Sequence, residues 1–200
     1  MSGSAKSVRP YRLGRRGEAA EETRRRIVQA TFDLHAEQGI AETTMSQIAE
    51  RAGVSVGTVY HHFPTYADAI AACGAFAAVA VPAPTEAIFE GARTRQERVA
   101  RLARATFDYY RRLPALASVR RDRHLAHVLG RHADEEARLR RALSARAAGV
   151  NVKDKRAALI AALVDLDSYH ALVREGFNTR EAGERIAAVA NAWLALEDDR

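Results

Sequence analysis

Cysteine is almost missing from this chain. Cys73 stands alone, which excludes an internal disulfide and any multi-cysteine zinc site and suits a reducing cytoplasm, where the protein is expected to reside. Long apolar runs are also missing. None reaches the roughly 18 residues that a membrane span needs, and the charged N-terminus lacks the apolar stretch of a signal peptide, so no membrane partner is expected. Proline occurs five times, at Pro10, Pro64, Pro82, Pro84 and Pro114, always at segment ends and never inside a periodic stretch. No P-loop, GxGxxG or nucleophilic triad appears, so neither catalysis nor a cofactor is expected. What remains is a chain of 200 residues, 48% hydrophobic and rich in alanine, with few β-branched runs. It reads as mostly helical, long enough for one good core or for a small domain joined to a larger one.

Residues 43–66, TTMSQIAERAGVSVGTVYHHFPTY, are the most informative stretch. Thr43 or Thr44 can cap a short helix, since a hydroxyl at that position accepts from an otherwise orphaned backbone N–H. Ile48, Ala49 and Ala52 form its apolar face, and Gly53 follows where a left-handed backbone costs least. Ser55 caps a second helix in which Val59 and Phe63 face inward, leaving Val56, Gly57, Thr58, Tyr60 and His61 outward. Two short helices about a tight glycine turn describe a helix-turn-helix, whose second helix docks in the major groove. By geometry alone the same pattern also fits ordinary helix pairs in all-α proteins.

The particular residues add to the geometry. Thr43-Thr44, Ile48-Ala49, Ala52-Gly53-Val54-Ser55 and Gly57-Thr58-Val59-Tyr60-His61-His62-Phe63 closely resemble the N-terminal domain of the tetracycline-repressor (TetR) family of bacterial regulators, and IVQATFDLHAEQG (27–39) resembles its first helix. The resemblance covers about residues 24–72. It implies an all-α fold of about nine helices, with a three-helix DNA-binding domain over 18–64 and a larger effector-binding and dimerisation domain over 65–200. The expected partners are double-stranded DNA, a small-molecule effector and a second copy of the chain.

The resemblance places DNA contacts at Thr43, Thr44, Gln47, Ser55, Val56, Gly57, Thr58, Tyr60, His61 and Tyr66. Thr44 and Tyr60 would hold phosphates, and the Val56–Thr58 tip would face the groove. Two positions depart from the family pattern. Tyr66 stands where a phosphate-gripping lysine is usual, and His35 where an aromatic core residue is common. His35 reads as a packing residue.

Charge is unevenly spread along the chain. Residues 1–17 hold Lys6, Arg9, Arg12, Arg15 and Arg16 and no acid, whereas residues 18–64 hold four arginines against seven acids. A polyanion-binding domain is expected to be basic itself, because phosphate contacts and counterion release supply much of the affinity. The first 17 residues therefore read as a basic, disordered arm, with Arg9, Arg12, Arg15 and Arg16 contacting DNA as homeodomain arms do.

Downstream, Ala69, Ile70, Cys73, Phe76 and Ala77 form a buried stripe on a helix that ends at Pro82-Ala83-Pro84. Thr94 with Glu97, and Asn178 with Glu181, make capping boxes. Further helices are expected from Pro114 to about Leu129, closed by Gly130, and over about 133–148, 153–175 and 179–197. In the family the last two helices pair between subunits, so Leu159, Leu163, Leu166, Ile186, Val189 and Trp193 are the expected dimer contacts. Phe89, Phe107, Tyr110, Leu113, Leu116, Leu125, Leu129 and Tyr169 are candidates for effector-pocket walls. His124, His127 and His132 lack the spacing of a strong metal motif, and no metal is assigned. The leading function is a homodimeric repressor released from a palindromic operator by an effector. The alternatives are an all-α metal sensor or enzyme built on those histidines, and an effector-independent architectural DNA-binding protein.

Overall fold

A computed structural model describes residues 11–125 and 127–199, with side chains from residue 17. Among these residues every regular element is helical. They run α1 (Tyr11–Glu37), α2 (Met45–Ala52), α3 (Val56–His62), α4 (Tyr66–Ala80), a 3-10 turn (Glu86–Phe89), α5 (Arg95–Arg112), α6 (Leu116–Arg121), α7 (His127–Ala148), α8 (Lys155–Leu163), α9 (Leu166–Arg174) and α10 (Thr179–Asp198).

Local chemistry sets most of these boundaries. Thr44, Thr65, Thr94 and Asn178 each close a reciprocal capping box with the side chain three residues on. Gly53 turns the chain between α2 and α3 at φ +65°, a backbone region that an L side chain rarely adopts.

Two cores form. The smaller joins α1, α2, α3 and the start of α4 through Ile27, Leu34, Ile48, Ala49, Val59, Phe63 and Ala69. The larger is built around α5, with Val99, Leu102, Phe107 and Tyr110 packed against Leu143, Ile160, Val164, Tyr169, Ala190 and Leu194. Helix α10 lies close on α5 at Gly183, where a Cβ would just reach ordinary van der Waals contact, 3.4 Å from the Arg104 Cα. Between the cores, Ile40, Ile70 and Leu129 make a small bridging cluster.

The helix expectations need four corrections. Helix α1 begins at Tyr11, so residues 11–17, expected to be disordered arm, are helical backbone, and Arg9 lies outside the described residues. The expected helix from Pro114 stops at Arg121, and Gly130 sits inside α7 instead of closing a helix. The cause is Asp122, whose buried carboxylate accepts from the Ala41 amide of the first domain at 3.1 Å. The expected 153–175 helix breaks at Asp165. That residue caps α9 through the Leu166 amide at 2.7 Å while pairing with Arg120 at 2.6 Å and Arg140 at 3.2 Å. Leu166, expected at a dimer contact, is only 2% exposed and belongs to its own chain's core.

Phe107 is fully buried at the centre of the larger core. Phe107→Ala is expected to cost about 3–5 kcal/mol, because the vacated space cannot fully collapse. A fall in the denaturant midpoint at unchanged slope checks this.

Candidate DNA-contact surface and internal cavity

The turn between α2 and α3 is held from several sides. Thr44 Oγ1 accepts from the Gln47 amide at 3.2 Å, and Gln47 Oε1 accepts from the Thr44 amide at 2.9 Å. The Arg26 guanidinium reaches over from α1 to donate to the Ala52 carbonyl and, at 3.1 Å, to that of Gly53. Ser55 Oγ accepts from the Thr58 amide at 3.0 Å and lies 2.8 Å from the Thr58 hydroxyl. With Val59 and Phe63 buried, α3 turns Val56, Gly57, Tyr60 and His61 to the outside. Val56 is 39% and Tyr60 50% exposed, well above what packing requires.

Three expected contacts do not join that surface. Thr43 is buried, and its hydroxyl donates to the Gly39 carbonyl at 2.7 Å. Gln47 is half-buried with its oxygen committed to the cap and to Gln38 Nε2 at 3.3 Å. Tyr66 turns inward: its hydroxyl donates to the Ile40 carbonyl at 2.6 Å and lies 2.9 Å from His35 Nε2. Burial pushes the Tyr66 phenol well above its ordinary range, as befits a group already satisfied within the fold. Thr44, Ser55, Val56, Gly57, Tyr60 and His61 remain exposed and Thr58 half-exposed.

Positive charge near this surface is already engaged. Arg25 pairs with Glu22 at 2.7 Å and Arg51 with Glu37 at 2.7 Å. Arg24 lies 3.9 Å from Glu21 and over the Phe63 ring, and Arg26 is spent on backbone carbonyls. Arg12, Arg15 and Arg16 fall within the first turns of α1.

Behind the small domain lies a cavity of about 280 Å³, lined by α1, α4, α5, α6 and α7 and partly open to solvent. Of the wall residues expected from sequence, Leu113, Leu116 and Leu129 line it. Phe107, Tyr110 and Tyr169 instead pack on one another, with Phe107 and Tyr169 ring centroids 5.2 Å apart. Phe89 joins the same core, and Leu125 is 47% exposed. Among the missed walls are Phe32 and His35, about one turn apart on α1, and Cys73 and Ala77, about one turn apart on α4, with Tyr109, Val119, Leu139 and Leu143 from α5, α6 and α7. Their helical spacing was visible in the sequence, but it reads equally well as core.

Polar groups reach the cavity at two ends. At one, His35 is 3% exposed, with Nδ1 3.6 Å from Cys73 Sγ. Burial lowers the His35 pKa to about 4 and pushes the Cys73 thiol up to about 12. At the other, Glu136 binds Arg120 at 2.6 Å, Arg140 at 2.6 Å and the Tyr110 hydroxyl at 3.0 Å. His132 also lines the cavity and abuts Gly74 of α4, where a Cβ would meet its Nε2 at 2.9 Å. His124 and His127 are exposed, and no grouping of three or more His, Cys, Asp or Glu among the described residues could hold a metal.

The neutral, buried His35 has a consequence for stability. Its pKa is lower in the folded chain than the ordinary 6.5, so its contribution is fully present above pH 6.5 and is lost as pH falls toward 4. Denaturant unfolding at pH 7 and pH 4.5 is expected to show about 2 to 3 kcal/mol more loss in the wild type than in His35→Gln.

Residues 27–73 match the family model described as "Bacterial regulatory proteins, tetR family". The HTH-type transcriptional regulator SrpR of Pseudomonas putida is 50% identical over 44 residues, which are 22% of this chain and 21% of SrpR. The match thus spans about a fifth of that relative's length. A tetR-family transcriptional regulator from Streptomyces coelicolor superposes with a TM-score of 0.66 at 18% identity, covering 90% of this chain and 84% of its own. NalD, the secondary repressor of the MexAB-OprM multidrug efflux pump in Pseudomonas aeruginosa, gives a TM-score of 0.62 at 18% identity, covering 88% of this chain and 96% of its own. At that identity the structural likenesses are likenesses of fold. The family model thus matches the segment that holds α2, the Gly53 turn and α3, and over the rest of the chain the likeness to TetR-family regulators is one of fold.

Proposed function

We propose that this protein is a homodimeric transcriptional repressor that binds a palindromic operator and is released by a small molecule entering the cavity. The outward face of α3 carries the reading. Its inner residues are buried and its caps are satisfied, so Val56, Gly57, Tyr60 and His61 have no structural task left on that side. Such a helix fits the major groove, with Gly57 allowing close backbone approach, the Val56 and Thr58 methyls available to thymine methyls, and Thr44 and Tyr60 hydroxyls available to phosphates.

A single small helix-turn-helix reads few bases, and two-fold proteins match two-fold sites. The C-terminal helices offer a surface for the second copy. On α10, Ala188, Val189, Ala192 and Leu196 are exposed along one stripe, with Val189 at 54% and Leu196 at 64%. Leu159 of α8 is 36% exposed, and Leu163, Ile186 and Trp193 are half-buried. Exposed apolar stripes of this kind mark interfaces. NalD, which shares the fold, is itself a repressor.

The engaged arginines of the small domain leave Arg9, Arg12, Arg15 and Arg16 as the cations that carry phosphate affinity. Tyr60→Phe is expected to weaken operator binding about tenfold per protomer, and so about a hundredfold for the dimer, at an unchanged unfolding midpoint, since a hydroxyl on a charged phosphate contributes roughly 1.5 kcal/mol. Equal affinity of Tyr60→Phe and wild type in a gel-shift titration would remove that contact. Replacing Arg9, Arg12, Arg15 and Arg16 together by Gln is expected to flatten the log affinity–log salt slope by roughly 3 to 4 per protomer. An unchanged slope would assign the arm no role.

A further inference from the structure

The two positions at which the sequence departs from the family pattern, His35 and Tyr66, are bonded to each other across 31 residues of chain, at 2.9 Å. The hydrogens of this pair follow from their partners. Tyr66 has one hydroxyl hydrogen and gives it to the Ile40 carbonyl at 2.6 Å. The contact with His35 must then use the Nε2–H of the imidazole as donor. Nδ1 is left with its lone pair, directed at Cys73 Sγ at 3.6 Å, a weak donor at long range. The ring stays neutral, as its lowered pKa of about 4 requires.

His35 and Cys73 are both buried, and both line the cavity. Around them the lining is apolar, with Phe32, Ile40, Ile70 and Ala77, apart from the half-buried His132 that abuts Gly74. At the Glu136 end the carboxylates of Glu136 and Asp165 balance the guanidiniums of Arg120 and Arg140, and Glu135 is exposed, so nothing there favours an anion. The cavity therefore presents an apolar volume with one strong buried acceptor satisfied only by a thiol. A better donor than S–H would gain there what the thiol leaves unmade.

We propose that the cavity takes a neutral apolar molecule carrying one hydrogen-bond donor, seated on His35 Nδ1 in place of the Cys73 thiol, and that the His35–Tyr66–Ile40 chain transmits its arrival to α2. The proposal rests on the effector reading given above. The route is short. Ile40 lies in the turn between α1 and α2, its neighbour Ala41 is tied to Asp122 just after α6, and Thr44 opens α2 four residues later. Tyr66 itself begins α4, which supplies Ala69 to the small core and Cys73 and Ala77 to the cavity. A ring that tilts toward a ligand thus draws on the turn before α2 and on the start of α4 together. The ligand shifts the protein only as far as its affinity differs between the two arrangements.

The probes are 2-naphthol and its methyl ether, 2-methoxynaphthalene, which share an apolar body and differ in one donor. Solution NMR of the full-length protein, labelled at histidine nitrogens and backbone amides, gives both structure and affinity. The wild type is expected to show His35 as the Nε2–H tautomer and to bind 2-naphthol at least tenfold tighter than the ether. In Tyr66→Phe that preference should persist while the naphthol-induced shifts of the Ile40–Thr44 amides collapse. His35→Phe should bind both probes alike. The proposal is overturned by an Nδ1–H tautomer, by no naphthol binding at millimolar concentration, or by equal affinities in the wild type, none of which needs a variant to fold. It is also overturned if the preference survives in His35→Phe, or if the amide shifts survive in Tyr66→Phe. No readout uses DNA, so a failure of operator binding would sink the regulator reading and leave these results standing.

Discussion

The Tyr66 hydroxyl bonded to the Ile40 carbonyl is the contact on which the arrangement of the molecule turns. It fixes the first residue of α4 to the turn that leads into α2, at the place where the two cores meet. Around it the bridging cluster of Ile40, Ile70 and Leu129 and the Ala41–Asp122 bond supply further ties. Helix α4 is therefore shared. Its first turns complete the small core through Ala69, and its middle forms the cavity wall through Cys73, Gly74 and Ala77. In the proposed response, a change in cavity shape would reach the outward face of α3 through this helix, which has a foot in each domain.

The small domain was legible in the sequence because its determinants are local. A threonine and a glutamine three residues apart, a glycine after the last helical turn, and a serine two residues further are capping chemistry that acts over one turn. The capping boxes at Thr94 and Asn178 were legible for the same reason. What escaped is long-range. Asp122 and Asp165 break helices because of partners 81 and 45 residues away, and no periodicity shows such partners. The inward turn of Tyr66 escaped likewise: a tyrosine at a helix start looks solvent-facing until His35 and the Ile40 carbonyl are seen beside it. The cavity was misplaced toward Phe107, Tyr110 and Tyr169, since aromatic residues fill cores as readily as they line pockets, and these three fill one.

Electrostatics bears on how the protein would hold DNA. The small domain carries four arginines and seven acids, and those arginines are bound to acids, backbone carbonyls or an aromatic face. With Tyr66 facing inward, α3 and its neighbours offer shape, methyl groups and neutral hydroxyls. Neutral contacts position a protein and read bases, whereas salt-sensitive affinity comes from released counterions. In this account the basic residues at the N-terminus of each protomer and the doubling of contacts in a dimer make up the difference.

The most direct test of the account is in vitro selection of duplex DNA from a randomised pool by the purified full-length protein, followed by footprinting of the enriched sequences. The account predicts enrichment of one two-fold symmetric sequence whose half-sites are each protected in the major groove. Enrichment of no motif, or of an asymmetric site bound by a single protomer, would contradict it.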